Sequence, residues 1–267
     1  MKSIGKIDLT TAKAFLAIDI NGTKPIIRKD NILKIIQGRH LKVEEALIKK
    51  SQEFIPISVN LKNGVTCITG ANMGGKTVSL KLTGMLSCMA QYGLFPPCKA
   101  IETGLNDFIY ISIGDSQSSD QGLSTFGAEI KTIQKAINRA DEKGLILIDE
   151  LARGTNPQEG YAVSKAIVEY LKNKNCITLI TTHYDNIANG DNITHLQVVG
   201  LADVDYKKLK EELIYNKSCG IDIINKYMDY RLIEVYSINQ VPRDAINIAR
   251  LMGLNEDIVK NAEKELK

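Results

Sequence analysis

A glycine-rich segment of eight residues constrains this chain more than any other feature. Residues 70–77 read Gly-Ala-Asn-Met-Gly-Gly-Lys-Thr and fit the pattern G-x-x-x-x-G-K-[ST]. A β-branched run at 65–69 precedes the segment, and apolar residues recur at helical spacing over 77–92 after it. A strand, a glycine-rich turn and a helix in this order are typical of a phosphate-binding site.

The residue types in this segment predict which ligands it binds. Its glycines allow main-chain N–H groups to close around phosphates, the Lys76 ammonium reaches the β- and γ-phosphates, and the Thr77 hydroxyl binds Mg²⁺. We therefore predict ATP and Mg²⁺ as ligands, with Lys76 also acting in catalysis. A glycine-rich turn with an unrelated lysine is the alternative. The predicted nucleotide-binding residues here are Gly70, Ala71, Asn72, Met73, Gly74, Gly75, Lys76, Thr77 and Val78.

Polar side chains follow two further buried strands, at 145–148 and 177–181. Ligands of open α/β sheets bind at the carboxyl ends of the strands. We predict that Asp149 joins Thr77 in binding Mg²⁺ and that Glu150 polarises the attacking water. His183 is predicted to contact the γ-phosphate or that water, although a lone histidine is more often structural. Glu150 and His183 thus join the predicted catalytic residues.

Strands alternate with helices along the middle of the chain, which predicts an α/β fold with a mainly parallel central sheet flanked by helices. The remaining elements are a helix at 9–20, a strand at 54–61, helices at 124–140 and 160–172, and helices at 243–252 and 255–266 that form a C-terminal helical hairpin. Residues 198–236 have weak periodicity, and we interpret them as a β-meander with a helix at 206–213.

Composition excludes several classes of protein. The chain has 267 residues, of which 44% are hydrophobic and 24% charged, as in ordinary globular domains. No apolar run approaches the roughly 20 residues of a membrane span, and no signal peptide is visible, so we expect a cytoplasmic protein. The five cysteines lack metal-ligand spacing and are interpreted as buried thiols. A net charge of +3 is modest for a domain that grips nucleic acid by itself.

Four motifs together resemble the ATPase domain of MutS proteins. Residues 70–77 resemble the family's G-P-N-M-G-G-K-S/T, and residues 149–155, Asp-Glu-Leu-Ala-Arg-Gly-Thr, resemble its D-E-x-G-R-G-T. Residues 123–126 contain the family's S-T-F, and residues 182–184 match its T-H-Y. The resemblance runs from about Ile7 to the C-terminus.

This resemblance implies a P-loop NTPase fold of the ABC-ATPase type, which works as a homodimer with composite sites. Ser124 of one subunit would contact the γ-phosphate held by the other. Phe54 resembles the aromatic residue that stacks on adenine, and Tyr236 lies where it could take over that stacking; simple core packing is the alternative for both. The C-terminal hairpin would support the dimer.

The resemblance also implies a division of the chain. Residues 1–24 would be the end of a lever-like helix with its connection, 25–240 the ATPase domain and 241–267 the hairpin. The family's mismatch-reading regions have no counterpart here, so DNA would be bound through regions missing from this chain. Ala71 and Ala152 replace a proline and a glycine of the family pattern.

Three functions are compatible with these motifs. The first is a nucleotide-driven dimer switch in DNA mismatch repair or related DNA processing. The second is the ATPase component of a factor that reactivates a cobalamin-dependent aminomutase, with that enzyme as partner and no DNA bound. The third is a nucleotide-gated dimerisation module with negligible turnover, which the presence of Lys76, Asp149, Glu150 and His183 disfavours.

Overall fold

The computed structural model describes residues 2–70, 75–113, 122–152, 154–201, 204–215, 220–236 and 244–265. Within these ranges the helices are α1 (Lys2–Asp19), α2 (Leu41–Ile48), α3 (Lys76–Gln91), α4 (Gly122–Ile137), α5 (Pro157–Leu171), α6 (Tyr206–Tyr215), α7 (Gly220–Tyr227), α8 (Asp244–Leu251) and α9 (Glu256–Glu265). The strands are β1 (Ile26–Arg28), β2 (Ile32–Gly38), β3 (Ile57–Lys62), β4 (Gly64–Thr69), β5 (Ala100–Gly104), β6 (Phe108–Ser112), β7 (Gly144–Ile148), β8 (Ile177–Thr181), β9 (Ile193–Gly200) and β10 (Asp229–Glu234).

Two sheets contain these strands. The larger has the order β10-β9-β4-β8-β7-β6, in which all neighbours are parallel except the β10–β9 pair. The smaller has the order β1-β5-β2-β3, with antiparallel pairing around β2. The strands β4, β7 and β8 are buried throughout, as expected for parallel strands covered on both faces. The predicted α/β class with a mainly parallel, helix-flanked sheet agrees with this arrangement.

Each face of the larger sheet is covered by different elements. Apolar residues of α3, such as Leu82 and Leu86, share one core cluster with the β2–β3 strands of the smaller sheet. Apolar residues of α4 and α5, such as Ile133 and Val168, belong to the cluster on the opposite face. A smaller cluster joins α6 and α7 through residues that include Leu209. The central sheet therefore lies between two separate apolar layers, one on each face.

The prediction for residues 198–236 was confirmed for its helix, since α6 contains the predicted 206–213, but the β-meander around that helix was wrong. Instead of a β-meander, the helices α6 and α7 lie between β9 and β10, and those two strands pair with each other in antiparallel fashion. Helix α7 has only eight residues, too few for its periodicity to stand out in the sequence. Helix α1 is longer than the predicted 9–20, and β3 begins three residues later than the predicted strand at 54.

The cysteines agree with the interpretation as free thiols where the structure describes them. Cys67, Cys98 and Cys176 are buried and Cys88 is half-buried, and all four are unpaired; Cys219 lies outside the described residues. Burial raises the pKa of Cys67 to about 12. Among the described residues, no helix is long and apolar enough to cross a membrane.

Candidate functional site

The polar centre of the site is formed by the ends of two strands of the larger sheet, β7 and β8, and by the first turn of helix α3. Asp149 directly follows β7, and its carboxylate accepts hydrogen bonds from the Thr77 hydroxyl at 3.1 and 2.9 Å. The Thr181 hydroxyl, at the end of β8, donates to Asp149 Oδ1 at 2.6 Å. Strand β8 lies between β4 and β7, so the end of β8 brings Thr181 to the same carboxylate that Thr77 contacts. The structure thus brings the two predicted metal ligands, Thr77 and Asp149, into contact.

The glycine-rich segment is described at its two ends. Gly70 and Gly75 have φ angles of +124° and +77°, a backbone region that favours glycine. Helix α3 begins at Lys76, whose ammonium donates to the Gly70 carbonyl at 2.6 Å while the side chain is only 3% exposed. The predicted residues Ala71, Asn72, Met73 and Gly74 lie outside the described residues. Val78 is half-buried and packs against the α3 side of the core.

Two residues that the sequence analysis did not single out border this segment. A Cβ added to Gly70 would lie 3.1 Å from Val198 Cβ, and a Cβ added to Gly75 would lie 3.1 Å from Tyr230 Cδ1. Val198 is on β9 and Tyr230 is on β10. The Tyr230 ring therefore limits the space beside the N-terminus of α3. Its only sequence signal is an aromatic residue in a short alternating run, which is common in any strand.

The turn that follows Asp149 has an unusual backbone. Glu150 and Ala152 have φ angles of +50° and +59°, which cost about 1–2 kcal/mol per residue for an L-amino acid. The Glu150 N–H donates to the Thr181 hydroxyl at 2.9 Å, and the Ser164 hydroxyl donates to the Leu151 carbonyl at 3.2 Å. The left-handed φ of Ala152 also gives a physical reason for glycine at this place in the family pattern.

A carboxylate on α4 provides a further contact to this turn. Glu129 is half-buried, and its Oε1 accepts a hydrogen bond from the Ala152 N–H at 3.1 Å. Burial raises the pKa of Glu129, and the hydrogen bond from Ala152 opposes that rise. Glu129 lies within the predicted helix at 124–140 but was not among the predicted site residues.

Glu150 and His183 form a close pair. His183 Nε2 lies 2.8 Å from Glu150 Oε1, and the His183 side chain is 39% exposed. Residue Thr182, just before His183, donates its N–H to the Ile68 carbonyl, which fixes the end of β8 against β4. The structure therefore brings together two of the predicted catalytic residues at the same edge of the sheet as Lys76.

The residues predicted to contact adenine or a second subunit have different surroundings. Phe54 is 8% exposed and belongs to the core cluster of α3, which favours packing for this ring. Tyr236 is 86% exposed just after β10, where a hydrogen bond to Glu234 raises its pKa. Ser124 is in the first turn of α4, but its side chain lies outside the described residues. Stacking on adenine and contact across a dimer stay predictions.

The chemistry of the site fits Mg²⁺ bound together with a nucleotide. Among the described residues, no group of three or more histidine, cysteine, aspartate or glutamate side chains could hold a metal ion. Mg²⁺ in nucleotide sites takes only one or two protein oxygens and completes its shell with phosphates and waters. The Thr77 hydroxyl and the Asp149 carboxylate are oxygen donors of the kind required.

Comparison with known proteins decides the family. The family model of MutS domain V matches residues 66–267, about three quarters of the chain. This chain belongs to the MutS domain V family, the ATPase domain of the MutS superfamily. The resemblance derived from the four motifs is thereby confirmed at the level of the family.

Relatives of this MutS domain are similar over nearly its whole length. Proteins named endonuclease MutS2 are 34% identical over 98% of this chain in Clostridium kluyveri and 36% identical over 99% in Carboxydothermus hydrogenoformans. The endonuclease MutS2 of Clostridium tetani is 34% identical over 99% of the chain. The chain spans only 30% or 31% of the length of these relatives. The ABC-type arrangement and the division at residues 24 and 240 stay predictions.

Proposed function

We propose that this MutS-family domain binds ATP with Mg²⁺ and hydrolyses it, and that it works as a nucleotide-driven dimer switch in DNA processing. The observation that carries the proposal is the placement of Asp149 in contact with Thr77, with the Glu150–His183 pair directly beside it. Catalysis of phosphoryl transfer is mainly positioning and electrostatic stabilisation, so residues of these types in this arrangement support that reaction.

Nucleotide binding would use the N-terminus of α3. Lys76 is already directed into the glycine-rich segment, where its ammonium contacts the Gly70 carbonyl. A phosphate oxygen would replace that carbonyl as the partner of the ammonium, because a charged acceptor makes the stronger bond. Thr77 and Asp149 would hold Mg²⁺, which neutralises phosphate charge when bound. The helix dipole of α3 adds to the positive potential at this point.

Hydrolysis would depend on Glu150 and His183. The Glu150 carboxylate orients a water molecule and accepts its proton as the water attacks. His183 Nε2, which is 2.8 Å from Glu150 Oε1, orients that carboxylate and can contact the water or the γ-phosphate. The pair is at the carboxyl edge of parallel strands, where ligands of α/β sheets bind.

A second subunit would complete the site. Ser124, at the start of α4, would contact the γ-phosphate held by the partner subunit, and α8 and α9 would support the dimer. These two helices are joined by a hydrogen bond from the Arg250 guanidinium to Glu263 at 2.8 Å. Tyr236 is proposed to lie near the adenine through its exposed ring, whereas the burial of Phe54 favours core packing for that residue.

DNA is the proposed target of the cycle, reached through parts of a longer protein. The relatives at 34–36% identity carry the name endonuclease MutS2, which refers to cleavage of nucleic acid by those proteins. No observation favours the alternative of an aminomutase partner.

The deciding experiment measures ATP hydrolysis against protein concentration, with Lys76→Ala as background. Specific activity that rises with concentration, and that falls in Ser124→Ala without loss of ATP binding, is the expected result. Stimulation by duplex DNA, measured in a longer protein that contains this domain, would support the DNA-processing role. If the wild-type chain hydrolyses ATP no faster than Lys76→Ala at every concentration, the proposal that this chain is a hydrolase is wrong. A specific activity independent of concentration would contradict the dimer.

A further inference from the structure

Glu129 occupies an unusual position on α4. It lies four residues before Ile133 and seven before Ala136, so the three share one face of the helix. Ile133 and Ala136 are both buried in the cluster that α4 forms against the sheet. A carboxylate on such a face loses hydration and is costly unless it makes a specific hydrogen bond. An apolar residue would be the ordinary choice for packing at this position.

The hydrogen bond that Glu129 makes is to the turn beyond β7. Its Oε1 accepts from the Ala152 N–H at 3.1 Å. That turn has left-handed φ angles at both Glu150 and Ala152, so local sterics do not favour it. Contacts from outside the turn must therefore select its conformation.

Three elements supply these contacts. Thr181 on β8 accepts from the Glu150 N–H, Ser164 on α5 donates to the Leu151 carbonyl, and Glu129 on α4 accepts from the Ala152 N–H. Strand β8 belongs to the sheet itself, whereas α4 is a helix packed on its face. The contact from α4 is the one that connects the turn to the helix whose first turn contains Ser124.

We infer that Glu129 is a positioning residue that holds the turn in the form that presents Glu150 to the attacking water. If a second subunit contacts the N-terminal turn of α4 and shifts this helix, Glu129 would transmit the shift to Glu150. The inference rests on the proposed function, in which Glu150 acts on water and Ser124 contacts a second subunit. Glu129 would act through its hydrogen bond to the Ala152 N–H and not on the reacting atoms.

The test uses substitutions that separate positioning from packing. Glu129→Leu buries additional apolar surface, which offsets part of the cost of leaving the Ala152 N–H without its acceptor, so the fold should be retained. Glu129→Gln keeps an amide oxygen that can accept the same bond. Gln134→Leu is the matched control, since Gln134 is an exposed residue of the same helix that bonds Asn138. If Glu129→Leu disrupts packing, Glu129→Met provides an unbranched apolar side chain of similar length.

The expected result is a fall in kcat of about tenfold or more in Glu129→Leu, since a small misplacement of a catalytic group is costly. The KM for ATP and the affinity of the monomer for nucleotide should not change. The lost hydrogen bond joins Glu129 to Ala152, and neither is a predicted nucleotide-binding residue. Glu129→Gln should recover most of the lost kcat, and Gln134→Leu should behave like the wild type. A folded Glu129→Leu variant with wild-type kcat would overturn the inference.

A second measurement does not depend on activity. Hydrogen exchange of the Ala152 amide, followed in the full 267-residue chain, should be protected in the wild type and in Glu129→Gln. It should become at least tenfold faster in Glu129→Leu or Glu129→Met. Unchanged protection of Ala152 in those apolar variants would overturn the positioning role even if ATP hydrolysis were absent in the wild type. Absent hydrolysis would by itself contradict only the proposed function.

Discussion

The strand end that carries Asp149 and the turn that carries Glu150 are adjacent in the chain, yet the protein holds them in different ways. Asp149 continues directly from β7, and hydroxyls at fixed places on α3 and β8 bond its carboxylate. Glu150 begins a turn with left-handed backbone, and its side chain pairs with the partly exposed His183. The geometry of Asp149 follows from the sheet, whereas the geometry of Glu150 follows from side-chain contacts.

This difference indicates which part of the site can be adjusted. A parallel sheet buried on both faces keeps its strand ends in register, so Asp149 and Thr77 remain together whatever happens at the surface. A turn that depends on hydrogen bonds from Glu129, Thr181 and Ser164 changes when one of those bonds is lost. Residues that touch no ligand can therefore control hydrolysis more than they control binding.

The largest effect on kcat is expected at Glu150, the proposed general base. Glu150→Gln keeps the shape of the side chain but removes the base, so kcat should fall at least ~100-fold. ATP binding should not weaken, because Asp149 and Lys76 are unchanged. Single-turnover hydrolysis and equilibrium nucleotide binding measure the two effects separately. Glu142→Gln, at an exposed carboxylate of an ion pair with Arg139, is the control and should be neutral.

Normal turnover in Glu150→Gln would remove the assignment of Glu150 as general base. The turn would then have no catalytic purpose, and its left-handed backbone would need another explanation. The kcat of His183→Ala, measured in parallel, shows whether hydrolysis depends on the histidine when it does not depend on Glu150.

The next effect concerns the metal. Asp149→Asn removes the negative charge while it preserves an oxygen that can accept from Thr77 or Thr181. We expect the Mg²⁺ concentration for half-maximal hydrolysis to rise about tenfold or more, because Mg²⁺ prefers anionic oxygen ligands. A titration of activity with Mg²⁺ at fixed ATP measures this shift. An unchanged Mg²⁺ requirement would show that the metal is bound without Asp149.

A substitution at Thr181 acts on both regions at once. Thr181→Val removes the donor to Asp149 and the acceptor of the Glu150 N–H, and leaving buried polar groups unpaired costs about 1–3 kcal/mol. We expect a matching loss in the free energy of unfolding and a fall in kcat of about tenfold. Thr178→Val is the control, since Thr178 is equally buried on the same strand but bonds only weakly to Cys176. If the two variants behave alike, the shared role of Thr181 is wrong.

The sequence predicted the parts of the site that depend on strand ends. Asp149, Glu150 and His183 lie after the strands that buried apolar runs predict, because such runs identify parallel strands, and parallel strands end at one edge. The sequence did not reveal that Thr181 also bonds the Asp149 carboxylate, since the order β4-β8-β7 results from pairing of residues far apart in the chain. No local pattern records which strands become neighbours.

Other residues of the site were missed because their residue types occur in more than one structural environment. A glutamate among helical residues is usually exposed, so Glu129 was not recognised as a buried contact of the turn. An aromatic residue in a strand is usually core, so the position of Tyr230 beside Gly75 was not visible. The region 198–236 was misread because β9 and β10 pair across the two intervening helices α6 and α7. In each case the missing information was tertiary.

The smallest effect on stability and kcat is expected for a glycine substitution at Ala152, in the turn that carries Glu150. Ala152→Gly removes a left-handed L-residue, a gain of about 1–2 kcal/mol, but the gain is offset by about 0.5–1 kcal/mol of additional backbone entropy in the unfolded chain and by about 0.8 kcal/mol for the buried methyl. We therefore expect the free energy of unfolding, from denaturant titration, to change by less than about 0.5 kcal/mol, with kcat unchanged. Ala152→Val should destabilise the fold by more than about 1 kcal/mol, because a β-branched residue is strongly disfavoured at positive φ. If Ala152→Gly lowered kcat while the fold kept its stability, the alanine side chain itself would help to hold the turn, and the hydrogen bonds from Glu129, Thr181 and Ser164 would not be sufficient to position Glu150.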